Sequence, residues 1–263
     1  MKKKLMALFM SAMCVMSLVA CSSGSKSTGS DYQDIQNKGT LVVGITDFAP
    51  MDYQDENGEW IGFDADMAKA FGESIGVDVE FVEIDWDNKV MELDGKTVDC
   101  IWNGMTLTEE VTSAMSCSKA YCNNAQIIVL KQETATAADS LEGLFKLNFA
   151  VEAGSAGEAV AQENELSYTP VESQANALME VAAGTSDAAI IDSLMAAAMV
   201  GEGTSYEDLI YMMPLSDEEY GVGFRKDSDM APILDAFFAT AKEDGTMQTI
   251  AEKYGVQAAL IED

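Results

Sequence analysis

Histidine is absent from all 263 residues. That excludes a Ser-His-Asp triad, a Cys-His dyad and an HExxH zinc site. Arginine occurs once, as Arg225, so any function needing an arginine clamp must use that residue or do without. Basic residues are scarce altogether, 15 against 45 acidic ones, for a formal net charge of −30. Such a balance argues against a nucleic-acid partner, because phosphate binding needs clustered Lys and Arg. It suits a solvated acidic surface that keeps an exported protein soluble. There is no internal repeat, no transmembrane helix and no cofactor or metal motif. What is present is globular: hydrophobic residues make up 48%, and the length suffices for one large domain or two lobes with real cores.

The N-terminus opens on Lys2, Lys3 and Lys4, followed by an apolar run from Leu5 to Ala20. A charged start and an apolar stretch too short to span comfortably read as an export signal. It ends in Leu18-Val19-Ala20-Cys21, which resembles a bacterial lipobox, the alternative being an ordinary signal with a chance Cys. In such signals the Cys is lipidated and becomes the mature N-terminus. Residues 22–31 then form a flexible Ser/Gly-rich tether. The expectation is a signal at 1–21, lipidation at Cys21, and an extracytoplasmic protein held at the membrane by lipid rather than spanning it. Of five cysteines, Cys100, Cys117 and Cys122 remain in the body of the chain. Cys100 lies in an apolar run and reads as a buried strand residue; Cys117 and Cys122 are candidates for pairing outside the cell.

Short apolar runs at Leu41–Ile45, Val79–Ile84 and Val98–Trp102 read as strands, with helices at Asp64–Ser74 and Asn88–Leu93 between them. Tyr53 and Trp60 flank an Asp55-Glu56-Asn57-Gly58 turn and suggest a hairpin. A second cycle has strands at Gln126–Leu130, Leu147–Val151, Asp187–Ile191, Leu209–Met213 and Gly221–Arg225. Its helices open at Ser155, where Ser155 and Glu158 form a capping-box pattern, and run over Gln174–Ala183 and Ser193–Met199. Helices at Met230–Glu243 and Met247–Tyr254 are left over and are expected to return to the first unit. The order predicts an α/β fold with mostly parallel sheets.

In open α/β sheets ligands bind beyond the carboxyl ends of the strands. Those ends carry Thr46, Asp47 and Phe48; Asp85, Trp86 and Asp87; Asn103, Gly104, Met105 and Thr106; Ser155, Ala156 and Gly157; and Asp192. Each has a plainer reading. Phe48 and Trp86 suit a core as well as a ligand wall. Ser155 suits a plain helix cap, although a capped helix start is also an anion site. Asp192 equally suits a cap for the helix after it. Five strand ends aiming polar or aromatic groups at one place is the stronger signal.

The stretches Gly39–Gly44, Gly62-Phe63-Asp64-Ala65-Asp66-Met67-Ala68, Gly104-Met105-Thr106-Leu107-Thr108, Asp187–Asp192, Gly221–Lys226 and Asp244-Gly245-Thr246 resemble, in order and spacing, the amino-acid-type extracellular solute-binding proteins of ABC importers. The resemblance covers about Gly39 to Tyr254. It implies a two-lobed, periplasmic-binding-protein-like (type II) fold, with lobe 1 at 32–123 plus 224–263 and lobe 2 at 124–223. Two hinge strands would join them, crossing near Asn123–Ala125 and returning near Gly221–Gly223. It implies a monomer that closes on a small solute and presents it to a membrane permease. Phe48 and Trp86 would be ligand walls, and Asp47 a further ligand-binding residue beside Phe48. Asn103, Gly104, Met105 and Thr106 would contact polar groups, Ser155-Ala156-Gly157 would cradle a carboxylate, and Asp192 would pair with an ammonium. One departure stands out: after Thr108-Glu109-Glu110, Val111 occupies the place of the family's carboxylate-binding Arg. With Asp47, Asp192 and Glu152 at the expected site and Lys89 its one apparent cation, the ligand is expected to bring positive charge. The alternatives are a non-transport receptor, or a dehydratase-like enzyme on the same scaffold, which would need a placed acid or base.

Overall fold

The computed structural model describes residues 30–262 except Asp139; the export signal, Cys21 and most of the tether lie outside the described residues. The first unit runs α1 (Asp31–Lys38), β1 (Thr40–Ile45), the hairpin β2 (Tyr53–Gln54) and β3 (Trp60–Ile61), α2 (Phe63–Ile75), β4 (Asp78–Glu83), α3 (Lys89–Asp94), β5 (Cys100–Thr106), α4 (Glu109–Ala114), β6 (Ser116–Cys117) and β7 (Cys122–Asn124). The second runs β8 (Gln126–Lys131), α5 (Ala135–Ala138), α6 (Leu141–Leu144), β9 (Asn148–Glu152), α7 (Ala156–Glu163), β10 (Ser167–Val171), α8 (Gln174–Ala183), β11 (Ala188–Asp192), α9 (Ser193–Met199) and β12 (Leu209–Pro214). The chain then returns through β13 (Glu218–Phe224) to α10 (Met230–Glu243) and α11 (Thr246–Tyr254).

The two units are two lobes, each with its own mixed sheet. The first has the order β4-β1-β5-β13-β6, with β7 also on β13; β1 is parallel to β4 and β5, and β13 runs antiparallel to β5. The second has the order β10-β9-β11-β8-β12, parallel across β10, β9 and β11 and antiparallel around β8. The lobes are joined by short segments, Asn124 to Gln126 and Pro214 to Glu218.

Local chemistry sets the helix ends. Ser30 caps α1 by accepting the Gln33 N–H at 3.1 Å, so the helix starts at Asp31, inside the segment expected to be tether. Gly39 ends it in the left-handed conformation, donating its N–H to Ile35 O. In the first lobe, Leu41, Val43 and Ile45 of β1 pack with Met67 and Phe71 of α2. The C-terminal helices do return to this lobe: Phe237 meets Phe71 at 5.4 Å between ring centres, and Phe238 meets Trp102 at 5.6 Å. Burying each such ring contributes about 1.5–3 kcal/mol. The sheet of the other lobe buries Ile128, Phe149, Val151 and Ile190 on one face and Ile127, Val129, Leu178 and Ile191 on the other.

Three differences from the sequence expectation bear on the site. Strand β5 was expected to stop at Trp102 but continues through Thr106, because β13 pairs with its end, Tyr220 opposite Thr106 and Gly221 opposite Met105. Strand β13 begins at Glu218, not Gly221. Strand β10 is not anticipated at all; it is an exposed edge strand that contains Pro170, and its apolar pattern is weak. Cys100, Cys117 and Cys122 are free thiols, Cys117 and Cys122 lying on different strands beside β13.

Candidate functional site

Between the lobes lies a cavity of about 260 Å³. The first lobe builds its wall from the end of β5. Gly104 sits there at φ +52°, and a Cβ on it would stand 2.4 Å from the Phe48 ring, so only glycine lets the ring close over the strand. Phe48 is 2% exposed and meets Tyr220 edge-on at 6.3 Å. Asn103 fixes the loop that carries Phe48. Its carbonyl accepts from Thr46 N (3.0 Å) and Thr46 Oγ1 (2.8 Å), and its amide donates to Thr46 O (3.1 Å) and Asp52 (2.8 Å). Behind it, Asp64 accepts from Gly104 N (2.6 Å) and Tyr121 OH (2.7 Å), and burial raises its carboxyl to about 7.

The second lobe contributes the ends of β9 and β11 and the start of α7. Ser155 caps α7 by accepting the Glu158 N–H at 3.1 Å. The Glu158 carboxylate returns to the Gly154 N–H at 2.6 Å, one residue earlier than in a standard capping box. The lobes touch at Gly154, where a Cβ would lie 2.7 Å from Asp87 Cα. Lys89 spans the same junction, donating to Gly154 O at 2.9 Å and Trp86 O at 3.3 Å and lying 5.1 Å over the Trp86 ring. Burial lowers its ammonium pKa, opposed by Glu110 and Glu152.

At the floor is a knot of buried polar groups. Asp192 accepts from Asn124, Gln174 and Gln126, the last at 2.7 Å. Glu218 accepts from Thr106 Oγ1 (3.0 Å), Gln126 (3.0 Å) and Asn124 (3.2 Å). Burial and the charge of Glu218 raise Asp192 to about 7. Glu152 is 3% exposed, and its Oε1 has no hydrogen-bond partner. Burial first, then the charge of Asp192, raise it to about 8. Exclusion from water thus favours the protonated form of Glu152 and, less strongly, of Asp192 near neutral pH.

Of the residues expected to contact the ligand, Phe48, Trp86, Asn103, Gly104, Met105, Thr106, Ser155, Ala156 and Asp192 all line this cavity, as does Val111, whereas the strand-end residues Thr46, Asp85 and Asp87 do not. Two stand apart. Gly157 is buried beneath α7 against Ile190 O and the Gln126 side chain. Asp47 is exposed and faces a separate cavity beside Trp60 and Tyr254. Sequence reasoning misses Gln174, Gln126, Asn124 and Glu218. The strand-end rule would have found Gln174, three residues past β10, had that strand been recognised. Arg225 is remote from the cleft, ion-paired with Asp31 (3.2 Å) and Asp99 (3.4 Å).

Residues 41–257 match the family described as bacterial extracellular solute-binding proteins, family 3. The chain belongs to that family. Among family 3 relatives it is similar to the arginine-binding extracellular protein ArtP of Bacillus subtilis, 28% identical over 96% of this chain and 98% of that one. The ancestral amino-acid-binding protein AncCDT-1, a precursor of cyclohexadienyl dehydratase, is 31% identical over 86% of this chain and 99% of its own, with a TM-score of 0.77. An ABC uptake transporter substrate-binding protein of Streptococcus pneumoniae, solved with bound histidine, is 26% identical over 89% and 99%, with a TM-score of 0.79. Family 3 membership agrees with the two lobes and with a cleft between them. No described helix is long and apolar enough to cross a membrane, and no described cluster of His, Cys, Asp and Glu is arranged to hold a metal ion.

Proposed function

We propose that this chain is the substrate-binding lipoprotein of an ABC importer, which captures a cationic, amine-bearing amino acid or related solute between its lobes and delivers it, chemically unchanged, to the permease. Lipid on Cys21 would hold it at the outer face of the membrane. The lobes would move about the paired connections at Cys122–Asn124 and Pro214–Glu218, with β13 belonging to the first lobe. Phe48 and Trp86 would flank the solute, and Thr106, Ser155 and Asp192 would meet its polar groups.

The observation that carries the ligand reading is the pair Glu152 and Asp192, buried in the cavity wall with one Glu152 oxygen unpartnered. A buried carboxylate is costly unless protonated or paired with a cation. Among the described residues Lys89 is the only Lys or Arg lining the cavity, and its ammonium already donates to Trp86 O and Gly154 O. The arginine-binding name of ArtP points the same way.

The test is calorimetric titration of protein stripped of bound solute by unfolding and refolding. Basic amino acids and amines are expected to bind, and glutamate and leucine are not. Tight binding of glutamate with none of any basic solute would overturn the reading. Mass spectrometry of the mature N-terminus for a diacylglyceryl thioether on Cys21 tests the anchor separately.

A further inference from the structure

Glu218 opens β13, and its backbone pairs with Asn124 of β7, so it sits where the two connections between the lobes run side by side. Its Oε2 accepts from Thr106 Oγ1 of the first lobe at 3.0 Å, from Asn124 at 3.2 Å and from Gln126 at 3.0 Å. Its Oε1 accepts from Ser216 Oγ at 3.0 Å, and that hydroxyl in turn accepts the Gln126 N–H at 3.1 Å. Glu218 does not itself line the cavity. It holds Thr106 and shares its amide donors with Asp192, and both of those residues do line it.

A hydroxyl has one hydrogen and an amide NH2 has two, whereas a carboxylate can only accept. The Thr106 hydrogen is committed to Glu218, so Thr106 offers a solute only its lone pairs. Asn124 spends one amide hydrogen on Asp192 and the other on Glu218, and Gln126 does the same. Gln174 also donates to Asp192, while its own carbonyl accepts the Asp192 N–H at 2.8 Å. Independently, Glu152, another residue of the cavity lining, has a buried Oε1 with no partner. At this floor, then, Thr106, Asp192 and Glu152 are acceptors, and the amides of Asn124 and Gln126 have no hydrogen left to give.

We infer that Glu218 is a specificity-determining positioning residue: by taking the Thr106 hydroxyl hydrogen and one hydrogen from each of the Asn124 and Gln126 amides, it makes the floor of the cavity a surface of acceptors that selects a solute group rich in N–H donors. This rests on the reading of the cleft as a site for a cationic, amine-bearing solute, and adds the residue that sets the hydrogen-bonding sense of its floor. A neutral amide at this position would free the Thr106 hydrogen to turn toward the solute. It would also relieve Asp192, whose carboxyl is raised by burial first and then by the charge of Glu218. The other titratable groups facing Asp192 are Glu152 of β9 and Tyr220 of β13.

The experiment titrates arginine and lysine calorimetrically into the full chain stripped of bound solute, at pH 6 and at pH 8.5, in wild type and variants. At pH 8.5 Glu218→Gln is expected to weaken both solutes by about tenfold or more, because a charge and an acceptor are lost. At pH 6 the loss is expected to be smaller, since Asp192 in the variant sheds its proton more readily and less of the binding is spent on displacing it. Glu218→Asp keeps the charge but is one methylene too short to hold Thr106, so its loss is expected to be similar at both pH values. In Thr106→Val/Glu218→Gln the loss is expected to fall short of the product of the two single losses, because both act through one hydrogen bond. Carboxyl NMR of solute-free Glu218→Gln is expected to show Asp192 titrating at lower pH than in wild type, a readout independent of any solute. An equal loss at both pH values in Glu218→Gln, with Asp192 unmoved, would make Glu218 merely structural; it would overturn the inference and leave the cationic-solute reading standing. Wild-type protein that binds neutral or acidic amino acids and neither arginine nor lysine would overturn both.

Discussion

Lys89 and Gly154 meet across the cleft, the ammonium of one lobe donating to the carbonyl of the other at 2.9 Å. This contact ties the lobes beside the cavity. A hydrogen bond from a charged group is worth about 1.5–3 kcal/mol. Lys89→Ala is therefore expected to shift the solute-free protein toward an open form, seen as a larger radius of gyration in solution scattering. An unchanged scattering curve would show that the tie does not hold the lobes.

Gly154 tests closure from the other side. It has φ +70°, and a Cβ would stand 2.7 Å from the Asp87 backbone. In Gly154→Ala the left-handed conformation costs about 1–3 kcal/mol and the lobes cannot approach as closely. Solute affinity is expected to fall by about tenfold or more, mostly through faster release measured by stopped flow. Wild-type affinity in this variant would show that solute binds without this approach.

The charge on Glu152 gives a test with two opposed signs. Glu152→Gln keeps the shape and removes a buried carboxyl raised to about 8. Affinity for a cationic solute is expected to drop by about 10- to 100-fold, since a charge-assisted contact is lost. The melting temperature of the solute-free variant at pH 8.5 is expected to rise, because no buried charge must be accommodated. A fall in both would mean that Glu152 is structural.

Binding should depend on pH. Glu152 and Asp192 hold protons near pH 7, with values of about 8 and about 7. A cation that binds their ionised forms displaces those protons, so affinity is expected to rise from pH 6 to pH 8.5. The limit is about tenfold per pH unit for each proton released. Titrations in buffers of different ionisation heats count the protons directly; zero release would contradict the assignment.

Stability of the solute-free protein should run the other way. A carboxyl raised by burial binds a proton in the folded chain that the unfolded chain has already shed. The folded state is then favoured below the unfolded value, near 4, and loses that advantage as pH rises through about 7 and 8. Asp64, at about 7, adds to the same trend. The melting temperature is expected to decline between pH 5 and pH 8.5, and saturating cation to flatten the decline.

Much of this was legible in the chain itself. The spacing of Met67, Ala68 and Phe71 with Gly76 beyond them marked α2, and the Ser155–Glu158 pair marked the start of α7, because helix period and capping are set within a few residues. The strand-end rule brought Phe48, Trp86, Thr106 and Asp192 into view, since the crossover topology fixes where strand ends point. The absence of His and the single Arg narrowed the chemistry before any fold was drawn. What the sequence could not supply was the company each residue keeps. Asn124, Gln126, Gln174, Asp192 and Glu218 come from four stretches of chain, and no local pattern links them. Edge strand β10 escaped because an edge needs little apolar pattern, and Gln174 was hidden with it. The proton on Glu152 is the clearest case: its residue type was always readable, but its charge state depends on exclusion from water and on a neighbouring carboxylate, and only the folded chain brings those together.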